Sequence, residues 1–186
     1  MIIGQCFATP FTEDINCYHA HKIISETGVE QIGFAESQIH IITLPSNHEI
    51  ITQIDNDEII IDDTAYNAAK KLVEYLLSQA KTTICNIKPI KKTSSMKGNC
   101  YHHGNEIGMI TGQVRDGRKI GFSGLRLKDD MTLNSFLLFV NPEELLSSAY
   151  EQIDPDVYAK LAVLNNSTYL SVKSIIQKAM NPSEKN

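Results

Sequence analysis

Tryptophan is absent from this 186-residue chain. No apolar run approaches the ~20 residues that a membrane-spanning helix needs, so no membrane partner is expected. Positive charge is short as well: 17 basic against 22 acidic side chains leave a net charge of −5 at pH 7. That balance removes the general electrostatic case for nucleic-acid binding. The start Met1-Ile2-Ile3-Gly4 lacks the basic stretch of a secretory signal. A cytoplasmic protein, or an effector exported without a classical signal, is therefore expected. No glycine-rich phosphate loop precedes a helical pattern, and no Cys-x-x-Cys pair offers the spacing of a strong zinc site. No cofactor is implied.

What is present is ordinary globular composition, with 42% hydrophobic and 21% charged residues. One domain over residues 1–186 is expected, burying roughly 70% of the unfolded chain's surface. The surplus lies in four cysteines, Cys6, Cys17, Cys85 and Cys100, and six histidines. Without a secretion signal, reduced thiols are expected rather than disulfides. Cys6 and Cys85 read as small buried hydrophobes.

The clearest helix is Ala65 to Ala80, whose alanines, leucines and valine follow the i, i+3, i+4 rule, with Thr64 placed as N-cap. A second helix is expected from Cys17 to about Thr27, stopped by Gly28. Strand patterns cover Gln38 to Leu44, Glu49 to Ile54, Glu58 to Ile61 and Thr82 to Ile87. Asp116-Gly117 marks a hairpin between Ile107–Val114 and Lys119–Leu127, and Leu133 to Val140 adds a further strand. Asn141-Pro142 and Asp154-Pro155 each signal a helix start, and a last helix is expected from near Ser167 to Met180. The basic stretch Lys88 to Lys97 reads as an exposed loop. Asn16-Cys17-Tyr18-His19 recurs as Asn99-Cys100-Tyr101-His102, but the flanks differ and no repeat fold is read from it.

A thiol nucleophile is favoured in the first turn of a helix, where free N–H groups and the dipole stabilise the thiolate. On the expected helix, Cys17 meets that condition. His48 opens the run Glu49 to Ile54, and the turn Asp55-Asn56-Asp57 brings the chain back to Asp62-Asp63-Thr64. A three-residue turn makes Asp62 the diagonal neighbour of His48; a two-residue turn selects Asp63. Cys17, His48 and Asp62 then form a candidate triad.

The stretch from Cys17 through His48 to Ile61-Asp62-Asp63-Thr64 resembles the core of transglutaminase-like and papain-like thiol enzymes. Cys17-Tyr18 with Ala20-His21-Lys22 also resembles the nucleophile segment of bacterial protein-glutaminases. The likeness covers about residues 16–65; Asp63 stands where the family has proline, and no tryptophan follows His48. It implies an α+β fold with a papain-like or transglutaminase-like core, an antiparallel sheet packed with helices, and a helical C-terminal region. The core would span about residues 1–92, the second hairpin and strand about 98–140, and a helical annex about 141–180. The implied activity is thiol-dependent acyl transfer on protein or peptide amides, as glutamine deamidase, transglutaminase or cysteine protease. Cys17 would be nucleophile, His48 general base and acid, and Asp62 the orienting group.

Other constellations stay open. His40 or His103 could serve as base, the latter facing Asp130 across an unbulged hairpin. Lys97-Gly98-Asn99-Cys100 superficially resembles the nucleophile motif of ovarian-tumour-type deubiquitinases. Cys17, His19, His21, Cys100, His102 and His103 contain enough donors for a zinc site, and on a strand Cys17, His19 and His21 would share a face. A zinc-binding or non-catalytic protein-interaction module is the alternative function. The sequence leaves oligomeric state undecided.

Overall fold

A computed structural model describes residues 2–9, 17–35, 37–45, 59–93 and 95–181, with the backbone alone at positions 17, 18 and 35. It contains ten strands and three helices among the described residues, and every strand pairing given for them is antiparallel. Two compact units form, one from residues 1–76 and 166–186, the other from residues 77–165.

In the first unit the strands are β1 (Cys6–Ala8), β2 (Cys17–Ser25), β3 (Gly28–Ala35), β4 (Gln38–Pro45) and β5 (Ile59–Ile61), in the spatial order β4-β3-β2-β1-β5. Helix α1 (Asp63–Cys85) follows. In the second unit come β6 (Cys100–His103), β7 (Glu106–Arg115), β8 (Lys119–Leu127), β9 (Leu133–Val140), the short helix α2 (Pro142–Leu146) and β10 (Glu151–Ile153), in the order β10-β6-β7-β8-β9. Helix α3 (Pro155–Met180) ends the described chain but for one residue.

The expected papain-like core is corrected here. Sheet dominates each unit, and no helix carries Cys17: residues 17–25 are strand β2. The physical reason is the alternation His19, His21, Ile23 against Ala20 and Lys22, whose register on β3 puts the two sets on opposite faces. Glu26-Thr27 is a hairpin turn between Ser25 and Gly28, so Gly28 opens a strand rather than stopping a helix. Thr82 to Ile87, expected as a strand, mostly continues α1, which buries Ile84. Asp62, not Thr64, caps that helix by accepting the Ala65 N–H at 2.7 Å. The C-terminal helices merge differently too, with α3 running unbroken from the Asp154-Pro155 start. The run Glu49 to Ile54 lies outside the described residues, and the described partner of β5 is β1. Asp116 and Gly117 do form the hairpin turn, both left-handed at φ 54° and 65° as in a type I′ turn, but Arg115 pairs with Lys119, so the loop has three residues rather than the two that Asp-Gly signals.

Among the described residues the two units share one strand order: a four-stranded meander, a fifth strand returning antiparallel to the first, then the start of a long helix. The agreement extends to single hydrogen bonds. Gln5 N–H donates to Ile2 O at 3.0 Å across a turn whose third residue, Gly4, sits at φ 90°; Asn99 N–H donates to Met96 O at 3.0 Å across one whose third residue, Gly98, sits at φ 89°. A positive φ at that position is the type II signature and requires glycine. Gly4 and Gln5 then bracket Ile23, with bonds of 2.8 and 3.0 Å, as Gly98 and Asn99 bracket Ile110, with 2.9 and 3.0 Å. Cys6 lies opposite Ile61, and Cys100 opposite Ile153. The next residues, Asp62 and Asp154, each turn a side-chain oxygen onto the first turn of the following helix. Tyr66 and Tyr158 follow at matching distances in the sequence, and Tyr66 donates its hydroxyl to Glu30 while Tyr158 bonds Ser123, the equivalent position. The Asn-Cys-Tyr-His recurrence is not this repeat, because it would align β2 with β6, whereas β1 is the counterpart of β6.

In the first unit one sheet face takes the beginning of α1. Cys6, Ala8, Ala20, Ile32 and Ile61 are buried on that face, as are Tyr66, Ala69 and Val73 of the helix. Lys70 of α1 pairs with Glu30 of β3 at 2.7 Å. In the second unit Tyr101, Ile110, Phe122, Val140 and Leu145 form a core, with Phe136 and Tyr150 packed against it.

Candidate functional site

The densest group of chemically versatile side chains sits on the first unit's other sheet face. Strand pairing places His19 opposite Gly33 and Gly33 opposite His40, while His21 lies opposite Gln31. Gly33 has a reason to be glycine: a Cβ there would come within 2.2 Å of the His40 ring. The imidazole of His19 lies 6.1 Å from that of His21 and 6.2 Å from that of His40, centroid to centroid.

Gln31 joins the group into a hydrogen-bonded chain. Its amide nitrogen lies 2.7 Å from His21 Nε2, and its oxygen 3.1 Å from His40 Nε2. With the amide oriented this way, the NH₂ group donates to an unprotonated His21 Nε2, and His40 Nε2–H donates to Gln31 Oε1. His21 and Gln31 are both buried, so the bridge satisfies polar groups that would otherwise be costly inside the fold.

The equivalent positions of the second unit hold different chemistry. There Glu106, Arg126 and Asn134 replace His19, Gly33 and His40, and Gly108 and Gly124 replace His21 and Gln31. Arg126 Nη2 meets Glu106 at 2.5 Å, and its guanidinium lies 5.3 Å from the Phe136 ring centroid. The vacated side-chain space is occupied by Phe122 and Phe136, whose rings lie against Gly108 and Gly124.

Of the expected triad residues, only Asp62 has a described side chain. Cys17 opens β2, and His48 lies outside the described residues. Asp62 caps α1, while Asp63 pairs with Lys22 at 2.5 Å and accepts from Asn67 at 2.7 Å. Lys22 holds the Asp63 carboxyl below its usual range. His103 pairs with Glu106 in the sheet and stacks on Tyr150 at 4.8 Å, and the real β7–β8 register, shifted by a bulge, does not set it against Asp130. Asp130 accepts the Thr132 N–H of its own turn at 3.0 Å. His102 Nε2–H donates to Gly104 O at 2.7 Å. His19 and His21 do share a strand face, yet no group of three or more His, Cys, Asp or Glu among the described residues converges to hold a metal ion. No helix among them is long and apolar enough to cross a membrane.

The cysteines divide by position. Cys6 and Cys100 are buried, their thiols pointing back to Gly4 O and Gly98 O at 3.5 and 3.6 Å. Cys85, expected in the core, is exposed at the end of α1. Burial, aided by Asp63, pushes the Cys6 thiol up to about 12; burial, aided by Asp154, does the same for Cys100. A raised folded-state value means that the folded chain keeps protons which the unfolded chain loses first. The associated stability is complete below about pH 9 and is lost as pH climbs towards 12. The melting temperature followed by circular dichroism should therefore fall across that window, and the fall should be shallower for the Cys6→Ala/Cys100→Ala double variant. An equal pH slope in both proteins would refute the linkage.

No family model matches this chain, and neither the curated proteins nor the solved structures yield a match.

Proposed function

We propose that the chain is a non-catalytic protein-binding module made of two copies of one sheet-and-helix unit. The matched pair of buried cysteines carries this reading. Cys6 and Cys100 hold the same place in both units, locked against a turn glycine and opposite an isoleucine. They belong to the frame, which removes two thiols from any chemistry. On that shared frame the corresponding sheet positions carry unlike sets, His19, Gly33 and His40 in one unit and Glu106, Arg126 and Asn134 in the other. One scaffold bearing two different polar surfaces suits recognition of two different segments.

The competing proposal is thiol-dependent acyl transfer at Cys17. Its physical premise was a helix N-terminus, whose free N–H groups lower a thiol pKa and hold an oxyanion. A strand supplies neither, and Asp62 is engaged by α1. The test compares wild type with Cys17→Ala on glutamine-containing proteins and peptide amides, reading ammonia release and cleavage. Equal, buffer-level rates are expected from both. Turnover that needs Cys17 would overturn the binding-module reading.

A further inference from the structure

In the second unit the outer edge of β10 is covered by the chain itself. Pro89 and Ile153 form an antiparallel bridge, and Ile90 N–H donates to Gln152 O at 2.7 Å. The Gln152 side chain clamps the far end of the same segment. Its Oε1 accepts the Thr93 N–H at 2.7 Å, and the Thr93 hydroxyl lies 3.3 Å from that oxygen and 3.1 Å from Nε2. Asn99 Nδ2 donates to the same hydroxyl at 3.3 Å, and Lys92 Nζ donates to Ser147 O. The segment Lys88-Pro89-Ile90-Lys91-Lys92-Thr93, expected as an exposed loop, is thus an extended strap.

Polar bonds, rather than burial, hold the strap. Pro89, Ile90, Lys91 and Thr93 are all exposed, Ile90 at 45%, while Gln152 beneath them is 4% exposed. Each such bond is small in net terms, so a segment that removes little apolar surface from water opens locally while the core stays folded. Opening would leave β10 as a sheet edge with Gln152 O, the Gln152 amide and Ser147 O ready for another strand. The shared frame does not require this clamp. In the first unit Ile60 takes the place of Gln152, each lying opposite the aromatic residue after the locked cysteine. Gln152 therefore reads the strap rather than building the sheet.

We propose that the β10 edge is a binding site for an extended Lys-Thr segment of a partner protein, and that the strap holds it closed. This rests on the binding-module reading and names its site and its control. The partner segment would add antiparallel to β10 in place of the strap, with main-chain bonds to Gln152 supplying affinity. Its threonine would meet the Gln152 amide and its lysine Ser147 O, which gives the edge a preference for those two side chains.

A fluorescein-labelled peptide with the sequence of residues 88–93 is the probe, titrated into the full chain and mapped by amide chemical shifts. Ile90→Pro/Thr93→Pro removes both strap N–H donors and should bind the peptide at least tenfold more tightly than wild type, with shifts centred on Glu151 to Ile153. Because that variant could misfold, Thr93→Ala is the second arm. It loses only the hydroxyl bonds and should bind with intermediate affinity. A peptide N-methylated at its threonine should lose at least tenfold on either variant. Absence of saturable binding to the variants at millimolar peptide would overturn the proposal. Equal affinity in wild type and Thr93→Ala, shifts centred elsewhere, or indifference to N-methylation would do the same. Any of these results, combined with no Cys17-dependent turnover, removes the edge as the site while the binding-module reading stands.

Discussion

Gly124→Ala should destabilise the second unit by about 3 kcal/mol, the upper part of the range for forcing a methyl into a packed interior. A Cβ at Gly124 would lie 2.4 Å from Ile107 O, 2.7 Å from Phe136 Cζ and 2.9 Å from Gly108 Cα. Two of those neighbours are backbone atoms of β7, which pairs with β8 through Gly108 opposite Gly124. They can retreat only by opening the sheet. The ring has little room either, since Phe136 also packs under Arg126 and beside Phe122. Gly117→Ala is the control. It meets nothing within 4 Å and bears only the cost of a left-handed φ of 65°, about 1 kcal/mol. Urea midpoints for the two variants separate the effects. A Gly124→Ala protein no less stable than Gly117→Ala would show that the close β7–β8 approach is not as described.

Parts of this architecture are legible in the residues because local and global preferences agree. The Ala65–Ala80 spacing is that of a helix with one buried face, and Ala69, Val73, Leu76 and Ala80 are indeed buried. Asp116-Gly117 reads as a turn because few other pairs tolerate two left-handed residues. Residues 17–27 mislead for a definite reason. Histidine counts as polar in a pattern, so the alternation of His19, His21 and Ile23 is hidden until His21 is found buried. Ala20, Ile23 and Ile24 meanwhile mimic helical spacing.

The repeat is carried by very few side chains: Gly4, Cys6 and Phe7 against Gly98, Cys100 and Tyr101, then Ile61, Asp62 and Tyr66 against Ile153, Asp154 and Tyr158. Most of its content is backbone hydrogen bonding, which leaves no mark on residue identity beyond the two turn glycines. The louder match, Asn-Cys-Tyr-His, aligns the wrong strands. Within the candidate site, His19, His21 and His40 stand out as separate histidines. Gln31, which joins two of them, carries neither charge nor motif, and only the β2–β3–β4 register brings it between them.

The second large effect concerns the thiols. At pH 8 an exposed thiol such as Cys85 is open to the reagent. One held up to about 12 has almost no thiolate, and its burial adds a requirement for opening. Cys6 and Cys100 should therefore alkylate alike and far more slowly than Cys85. The likeness matters as much as the slowness, because two copies of one frame must protect both cysteines by the same lock. In urea all three rates should converge as that lock is lost.

Site-resolved iodoacetamide labelling of the folded chain at pH 8, read by peptide mass spectrometry, tests this most directly. Fast modification of Cys85 with matched, strong protection of Cys6 and Cys100 is the result expected of two units built around structural cysteines. Cys6 or Cys100 reacting as fast as Cys85 would contradict it.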